Sequence, residues 1–102
     1  MFDIFRTDNY EKKLDKSDNK ERQILIDFEA ELTTKPYRGK PLNNPFLREK
    51  KFDGKRALFI IDDNLCRILF ITITTKNDQK EVIRHILNNI EIYKEELRRG
   101  SL

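Results

Sequence analysis

The sequence predicts an α+β fold in which an N-terminal strand, a two-helix hairpin, an antiparallel three-strand meander and a long C-terminal helix follow one another. Three observations support this prediction. Two of them are the stretches before Pro36 and after Asn77, where apolar residues recur with helical spacing. The third is that residues 46–74 contain three apolar segments joined only by short turns.

The N-terminal part contains a strand and two helices. Apolar and polar residues alternate over residues 2–6, which predicts a short strand. Thr7 can cap a first helix, and Asp18 followed by Glu21 is typical of the start of a second. Pro36 ends that second helix because proline cannot donate a backbone hydrogen bond.

The middle of the chain predicts the meander. Residues 36–45 hold the chain's three prolines and are expected to be irregular. Strands are expected over residues 46–52, 56–62 and 66–74, with turns at Asp53-Gly54 and at residues 62–64. Such short connections require antiparallel pairing.

The C-terminal part predicts one long helix that begins at Asn77 or Asp78. Its basic last turn and Gly100 just beyond are typical of a helix end. The stripe on its apolar side consists of Val82, Ile83, Ile86, Leu87, Ile90, Tyr93 and Leu97. His85 lies off this stripe and is expected to be solvated.

Composition limits the class of protein. A chain of 102 residues with 37% hydrophobic and 38% charged residues is expected to form a single domain, residues 1–102. No apolar run has the length of a signal peptide or a membrane span, so we expect a cytoplasmic protein with no membrane contact. Cys66 is the only cysteine and is expected to be an inert core thiol. We expect no metal and no cofactor.

Positive charge is concentrated in residues 35–56. That segment has eight Lys or Arg residues against two acids, although the whole chain carries only +3. A concentrated basic surface is typical of a protein that binds a polyanion. The alternative is a solvated surface of flexible lysines.

Three short motifs resemble known toxins. They are residues 36–42 (PYRGKPL), residues 55–62 (KRALFIID) and the end of the last strand with its turn, residues 69–78. Together with the order of elements they resemble the RelE/ParE superfamily of toxins from prokaryotic toxin-antitoxin pairs. The resemblance covers about residues 2–85 and is greatest to the archaeal RelE-like branch.

The resemblance implies a ribosome-dependent mRNA endoribonuclease. Members of the RelE branch enter the ribosomal A site, cleave mRNA and so inhibit translation, and a cognate antitoxin protein holds them inactive. In the implied reaction a ribose 2′-hydroxyl attacks the adjacent phosphorus. This reaction needs a proton acceptor, cations and an acid for the leaving oxygen, which clustered Lys and Arg can supply without a metal.

The resemblance also implies roles for individual residues. Arg56 matches the family's arginine that contacts the scissile phosphate, although it could instead pair with Asp53 or Glu49. The other implied catalytic residues are Lys50, Lys51 and Lys76. The implied RNA-binding residues are Arg48, Lys55, Arg38, Lys40 and Asn77.

Two positions depart from the family pattern. Asn77 stands where the family has a second basic residue, and Ile83 stands where many RelE proteins have a catalytic tyrosine. These departures favour an alternative, a catalytically silent binding module of the same fold that binds gyrase, RNA or the ribosome. A small structural partner in a larger complex is a third possibility.

Overall fold

Nine elements follow one another in the structure, a computed structural model that describes residues 1–100. In chain order they are β1 (Asp3–Arg6), α1 (Asp8–Lys16), α2 (Asn19–Leu32), β2 (Lys40–Pro41), β3 (Leu47–Phe52), β4 (Lys55–Asp62), β5 (Arg67–Thr75), α3 (Gln79–Asn88) and α4 (Ile90–Arg99). The predicted α+β fold class is confirmed, with its N-terminal strand, helix pair and antiparallel meander.

The predicted caps of the first two helices are confirmed. The Thr7 hydroxyl accepts a hydrogen bond from the Tyr10 amide at 3.0 Å, and the Asp18 carboxylate accepts one from the Glu21 amide at 2.7 Å. Each cap satisfies an amide that has no partner within its own helix.

The five strands form one sheet in the order β1-β5-β4-β3-β2. Strands β3, β4 and β5 pair antiparallel, as their short turns predict, whereas β1 pairs parallel with β5. The parallel neighbours lie far apart in the sequence because a parallel pair needs a long connection. The last strand of the meander therefore lies inside the sheet rather than at its edge.

Helices cover both faces of this sheet. On the face covered by α1 and α2, the α1/α2 face, Phe28 packs against Phe59 and Phe70, whose rings stack at 4.8 Å. On the opposite face, the α3/α4 face, Ile86 and Leu97 pack against the sheet. Strands β4 and β5 are consequently buried along almost their whole length.

A β-bulge changes the direction of the side chains at the end of β5. Leu58 pairs with Thr72 while Phe59 pairs with Phe70, so Ile71 is the extra residue. Beyond the bulge, Thr72 and Thr74 lie on the α3/α4 face. The bulge thus places hydroxyl groups on this face, and the Thr72 hydroxyl donates to Asn9 on α1 at 2.6 Å.

The C-terminal helix is divided, which corrects the prediction of one long helix. Asn89 separates α3 from α4 with φ −116° and ψ 22°, and its side-chain amide donates to the His85 carbonyl at 2.9 Å. Asparagine competes in this way for backbone carbonyls and ends helices. The apolar spacing continues across the break, so periodicity alone could not reveal it.

Two smaller predictions were also wrong. Lys40–Pro41 forms the edge strand β2 inside the segment expected to be irregular. Cys66 is exposed rather than buried, because it lies in the turn before β5 with φ 54°.

No helix within residues 1–100 has the length and apolar character needed to cross a membrane.

A buried network of charged and polar groups joins β1, α1 and α2. Arg6 donates from Nε and Nη2 to Oε1 of Glu29 at 3.1 and 3.0 Å, and the Tyr10 hydroxyl donates to Oε2 at 3.2 Å. Burial raises the pKa of Glu29, while the hydrogen bond from Arg6 lowers it. Burial also raises the pKa of Tyr10, so the hydroxyl keeps its proton and remains a donor.

We expect Tyr10→Phe to destabilise the protein by about 1.5–3 kcal/mol, the typical loss for a hydrogen bond to a charged group. Urea unfolding followed by circular dichroism measures the change. Tyr37→Phe is the matched control, since the Tyr37 hydroxyl contacts Asp63 on the exposed surface. Equal losses of stability in the two variants would contradict the role assigned to Tyr10.

Candidate functional site

The alternation of β3 and β4 divides the predicted catalytic residues between the two faces of the sheet. Lys51 pairs with Arg56 and Glu49 pairs with Leu58, which places these side chains on the α3/α4 face. Lys50 and Arg48 pair with Ala57 and Phe59 and lie on the α1/α2 face. The structure therefore brings Lys51 next to Arg56 and places Lys50 on the other side of the sheet.

Arg56 lies in a largely buried position near the end of the sheet. Its side chain is 11% exposed, and Nε lies 3.6 Å from Oε2 of Glu49, whose side chain is 3% exposed. Nη1 donates to the Lys55 carbonyl at 3.5 Å. Of the two acids that the sequence offered as partners, Arg56 pairs with Glu49.

The first turn of α3 completes this environment. Nε2 of Gln79 donates to Oε2 of Glu49 at 2.6 Å, the same oxygen that faces Arg56. Thr74 pairs with Arg56 across β4 and β5 and is buried. Glu49 thus connects the arginine on β4 to the helix that follows β5.

Exposed cations lie on the segments next to this buried pair in the sheet or in the chain. Lys51 is exposed, Lys40 pairs with Glu49 in the sheet and so shares its face, and Lys76 is exposed in the turn between β5 and α3. We call Arg56, Lys51, Lys40 and Lys76 the arginine site. This arrangement can hold an anion against a guanidinium while ammonium groups supply further charge and protons.

The cations on the α1/α2 face make structural contacts instead. Arg48 donates to the Gly39 carbonyl at 3.1 and 2.7 Å and to the Tyr37 carbonyl at 3.0 Å. The Nζ of Lys50 lies 5.2 Å from the centre of the Phe28 ring. Each of these side chains stabilises the packing of a neighbouring segment.

The Phe59 ring explains the glycine of the PYRGKPL motif. A Cβ at Gly39 would overlap the Phe59 ring and lie 3.1 Å from the Glu49 carbonyl oxygen. The motif therefore packs tightly against the core and is held there by the guanidinium of Arg48.

The remaining predicted RNA-binding residues differ in their surroundings. Lys55 donates to Glu21 at 2.9 Å, and Nε of Arg38 lies 3.9 Å from Glu31 on the exposed surface. Asn77 is exposed in the turn before α3.

Ile83 and His85 both lie on α3 but differ in their surroundings. Ile83 is half-buried and packs against the hydrophobic cluster of the α3/α4 face. His85 is exposed, as expected from its position off the apolar stripe.

Two features were missed by the sequence reasoning. Carboxylate oxygens of Asp18, Glu21 and Asp53 lie within 4.8 Å of one another, but Glu21 is also the partner of Lys55. Gln79 joins the arginine site although it stands 23 residues after Arg56. The residues of each contact are too far apart in the chain for a local sequence pattern to indicate it. For the contact of Gln79 with Glu49, the available signal was that Glu49 is an acid inside a basic strand.

A large cleft lies elsewhere, between α1 and the C-terminal helices. It has a volume of about 850 Å³, and none of the predicted site residues lines it. Glu96 lines it near Asp8, and burial together with Asp8 raises the pKa of Glu96. Its lining mixes acids with Arg6, Lys13 and Arg99, so charge does not identify a ligand.

Solved structures of RelE toxins resemble this arrangement of elements. The E. coli RelBE toxin-antitoxin complex matches with a TM-score of 0.66 and 16% identity, over 74% of this chain and 96% of that chain. This chain has the RelE fold. A mutant of the E. coli toxin RelE in the free state matches the RelE-like chain with a TM-score of 0.68 and 16% identity, over 83% of this chain and 97% of that chain.

A second organism provides a similar match to the RelE-like chain. The RelBE2 toxin-antitoxin complex of Mycobacterium tuberculosis gives a TM-score of 0.62 and 20% identity, over 74% of this chain and 98% of that chain. No protein-family model and no curated protein matches the sequence. At these identities the similarity lies in the fold.

We expect Arg56→Ala to lower the free energy of unfolding by about 3 kcal/mol, because it leaves the Glu49 carboxylate buried without its cation. The double variant Glu49→Gln/Arg56→Ala should recover a large part of that loss, since no buried charge remains. Urea unfolding of the wild type, the single variants Arg56→Ala and Glu49→Gln, and the double variant measures the coupling. A double variant no more stable than Arg56→Ala would show that the pair is not electrostatically coupled.

Proposed function

We propose that this protein is the toxin of a toxin-antitoxin pair and inhibits translation as a ribosome-dependent mRNA endoribonuclease. The observation that supports it most is the arginine site, where Arg56 and Lys51 lie side by side on one face of a RelE-like sheet. The site has the residue types that RNA cleavage without a metal requires, and the fold is that of RelE toxins.

The proposed roles follow from the chemistry of RNA cleavage. Arg56 offers planar donors to the scissile phosphate, and a guanidinium binds phosphate through two parallel hydrogen bonds. Lys51 and Lys76 carry positive charge beside it and exchange protons with the attacking 2′-hydroxyl and the leaving 5′-oxygen. We assign the strand lysine of the reaction to Lys51 because Lys50 lies on the opposite face.

The proposed partners are a cognate antitoxin protein, mRNA and the ribosomal A site, all met in the cytoplasm. Two of the similar structures are toxin-antitoxin complexes, and another is E. coli RelE in complex with a RelBc antitoxin peptide. The shared fold is the reason for proposing an antitoxin as a partner of the present chain.

A catalytically silent binding module of the same fold is the second candidate. Ile83 favours it, since its aliphatic side chain packs against the hydrophobic cluster of the α3/α4 face and has neither the hydroxyl group nor the ring of a catalytic tyrosine. Asn77 favours it as well, since it brings no charge to the turn before α3. Such a module would bind gyrase, RNA or the ribosome without cleaving its target.

Primer extension on an mRNA undergoing translation in a purified system tests the proposal. We expect the wild-type protein to cut the message at sites positioned by the ribosome. Lys51→Ala/Lys76→Ala should slow cleavage by at least about 100-fold, the usual contribution of general acid-base groups. Lys50→Ala should have a much smaller effect than Lys51→Ala.

The control is Lys12→Ala/Lys20→Ala, which removes the same charge from exposed positions on α1 and α2. It should cleave at the wild-type rate. An intact message with the wild-type protein would reject the nuclease and leave the binding module, and equal losses in both double variants would indicate a general charge effect.

A further inference from the structure

The guanidinium of Arg56 has an incomplete set of partners. Its Nε is buried and forms no hydrogen bond with any group in residues 1–100, although Glu49 Oε2 lies only 3.6 Å away. A buried donor without an acceptor raises the free energy of the state that contains it. The observed position of Arg56 is therefore not its most favourable environment.

The Arg6–Glu29 pair shows what a fully bonded pair looks like in the same protein. There Nε and Nη2 both donate to one carboxylate oxygen, at 3.1 and 3.0 Å. Arg56 has a carboxylate beside it but lacks this geometry. If Arg56 had only a structural role, the fully bonded geometry of the Arg6–Glu29 pair would serve that role better than the geometry observed at Arg56.

Gln79 fixes the Glu49 carboxylate beside Arg56. Its side chain donates to Glu49 Oε2 at 2.6 Å, the oxygen that Arg56 faces, and so ties that carboxylate to the first turn of α3. Gln79 is the first residue of α3, and the N-cap Asp78 forms no side-chain capping hydrogen bond. Asp78 accepts instead from the Thr75 hydroxyl at 3.1 Å, so the first turn lacks one usual source of stability.

We propose that Glu49 and Gln79 are positioning residues that hold Arg56 in a closed position beneath the first turn of α3, and that RNA phosphate displaces Glu49 to bind the guanidinium. The identity of the ligand rests on the proposed function. A phosphate offers acceptors to two guanidinium nitrogens at once, including the unbonded Nε. The apparent affinity for RNA is then lowered by the fraction of molecules that are closed.

The closed position can be measured without any activity. Phenylglyoxal modifies accessible arginines, and mass spectrometry gives the rate at each residue. Arg38, whose side chain is 53% exposed, serves as the reference within the same molecule. We expect Gln79→Ala and Glu49→Gln to raise the rate at Arg56 relative to Arg38 by about tenfold, as for the loss of one hydrogen bond to a charged group.

The matched control is Gln23→Ala, which removes an exposed glutamine whose side chain donates to Asp27 on α2. It should leave the relative rate at Arg56 unchanged. An unchanged rate in both Gln79→Ala and Glu49→Gln would overturn the proposal. A parallel rise at all arginines, with a lower melting temperature, would also overturn it, because the variants would then simply be less folded.

The second measurement identifies the ligand. We expect a fluorescent single-stranded oligoribonucleotide to bind Gln79→Ala and Glu49→Gln about tenfold more tightly than the wild type in anisotropy titrations, and to protect Arg56 from phenylglyoxal. Higher reactivity at Arg56 without tighter binding or protection would overturn the competition by phosphate. The closed position itself would stand, and the proposed function, which depends on the ribosome, is tested separately by primer extension.

Discussion

The burial of β4 and β5 on both faces is the constraint on which the rest of the structure depends. Polar groups that these strands direct inward must find partners within the protein. The Thr72 hydroxyl donates to Asn9, and Arg56 lies against Glu49. Gln79 at the start of α3 also bonds the Glu49 carboxylate that faces the arginine.

The fold distributes the cations of the basic segment, residues 35–56, over both faces of the sheet. Along the sequence, residues 35–56 form one block of positive charge. In the fold, strand alternation sends neighbouring cations to opposite faces, and several of them hold other segments in place. Arg48 secures the PYRGKPL motif and Lys55 pairs with Glu21, so only part of the block faces the arginine site.

This chain has the RelE fold although it is only 16–20% identical to the solved structures it resembles. A sheet between two helical layers needs apolar residues at alternating strand positions and along helix stripes, and many sequences meet that need. A packing position can hold any apolar side chain of suitable size. Ile83 illustrates this, since it is half-buried and packs against the hydrophobic cluster of the α3/α4 face.

The sequence by itself determined the type and order of the main elements, because periodicity, prolines and turn residues act over a few neighbouring positions. The caps at Thr7 and Asp18 were predicted correctly for the same reason. The tertiary structure decided the break at Asn89, the exposure of Cys66 and the separation of Lys50 from Lys51. It also decided the partners of Arg56, since its contacts with Glu49 and Gln79 depend on strand register and helix packing, which link residues distant in the chain.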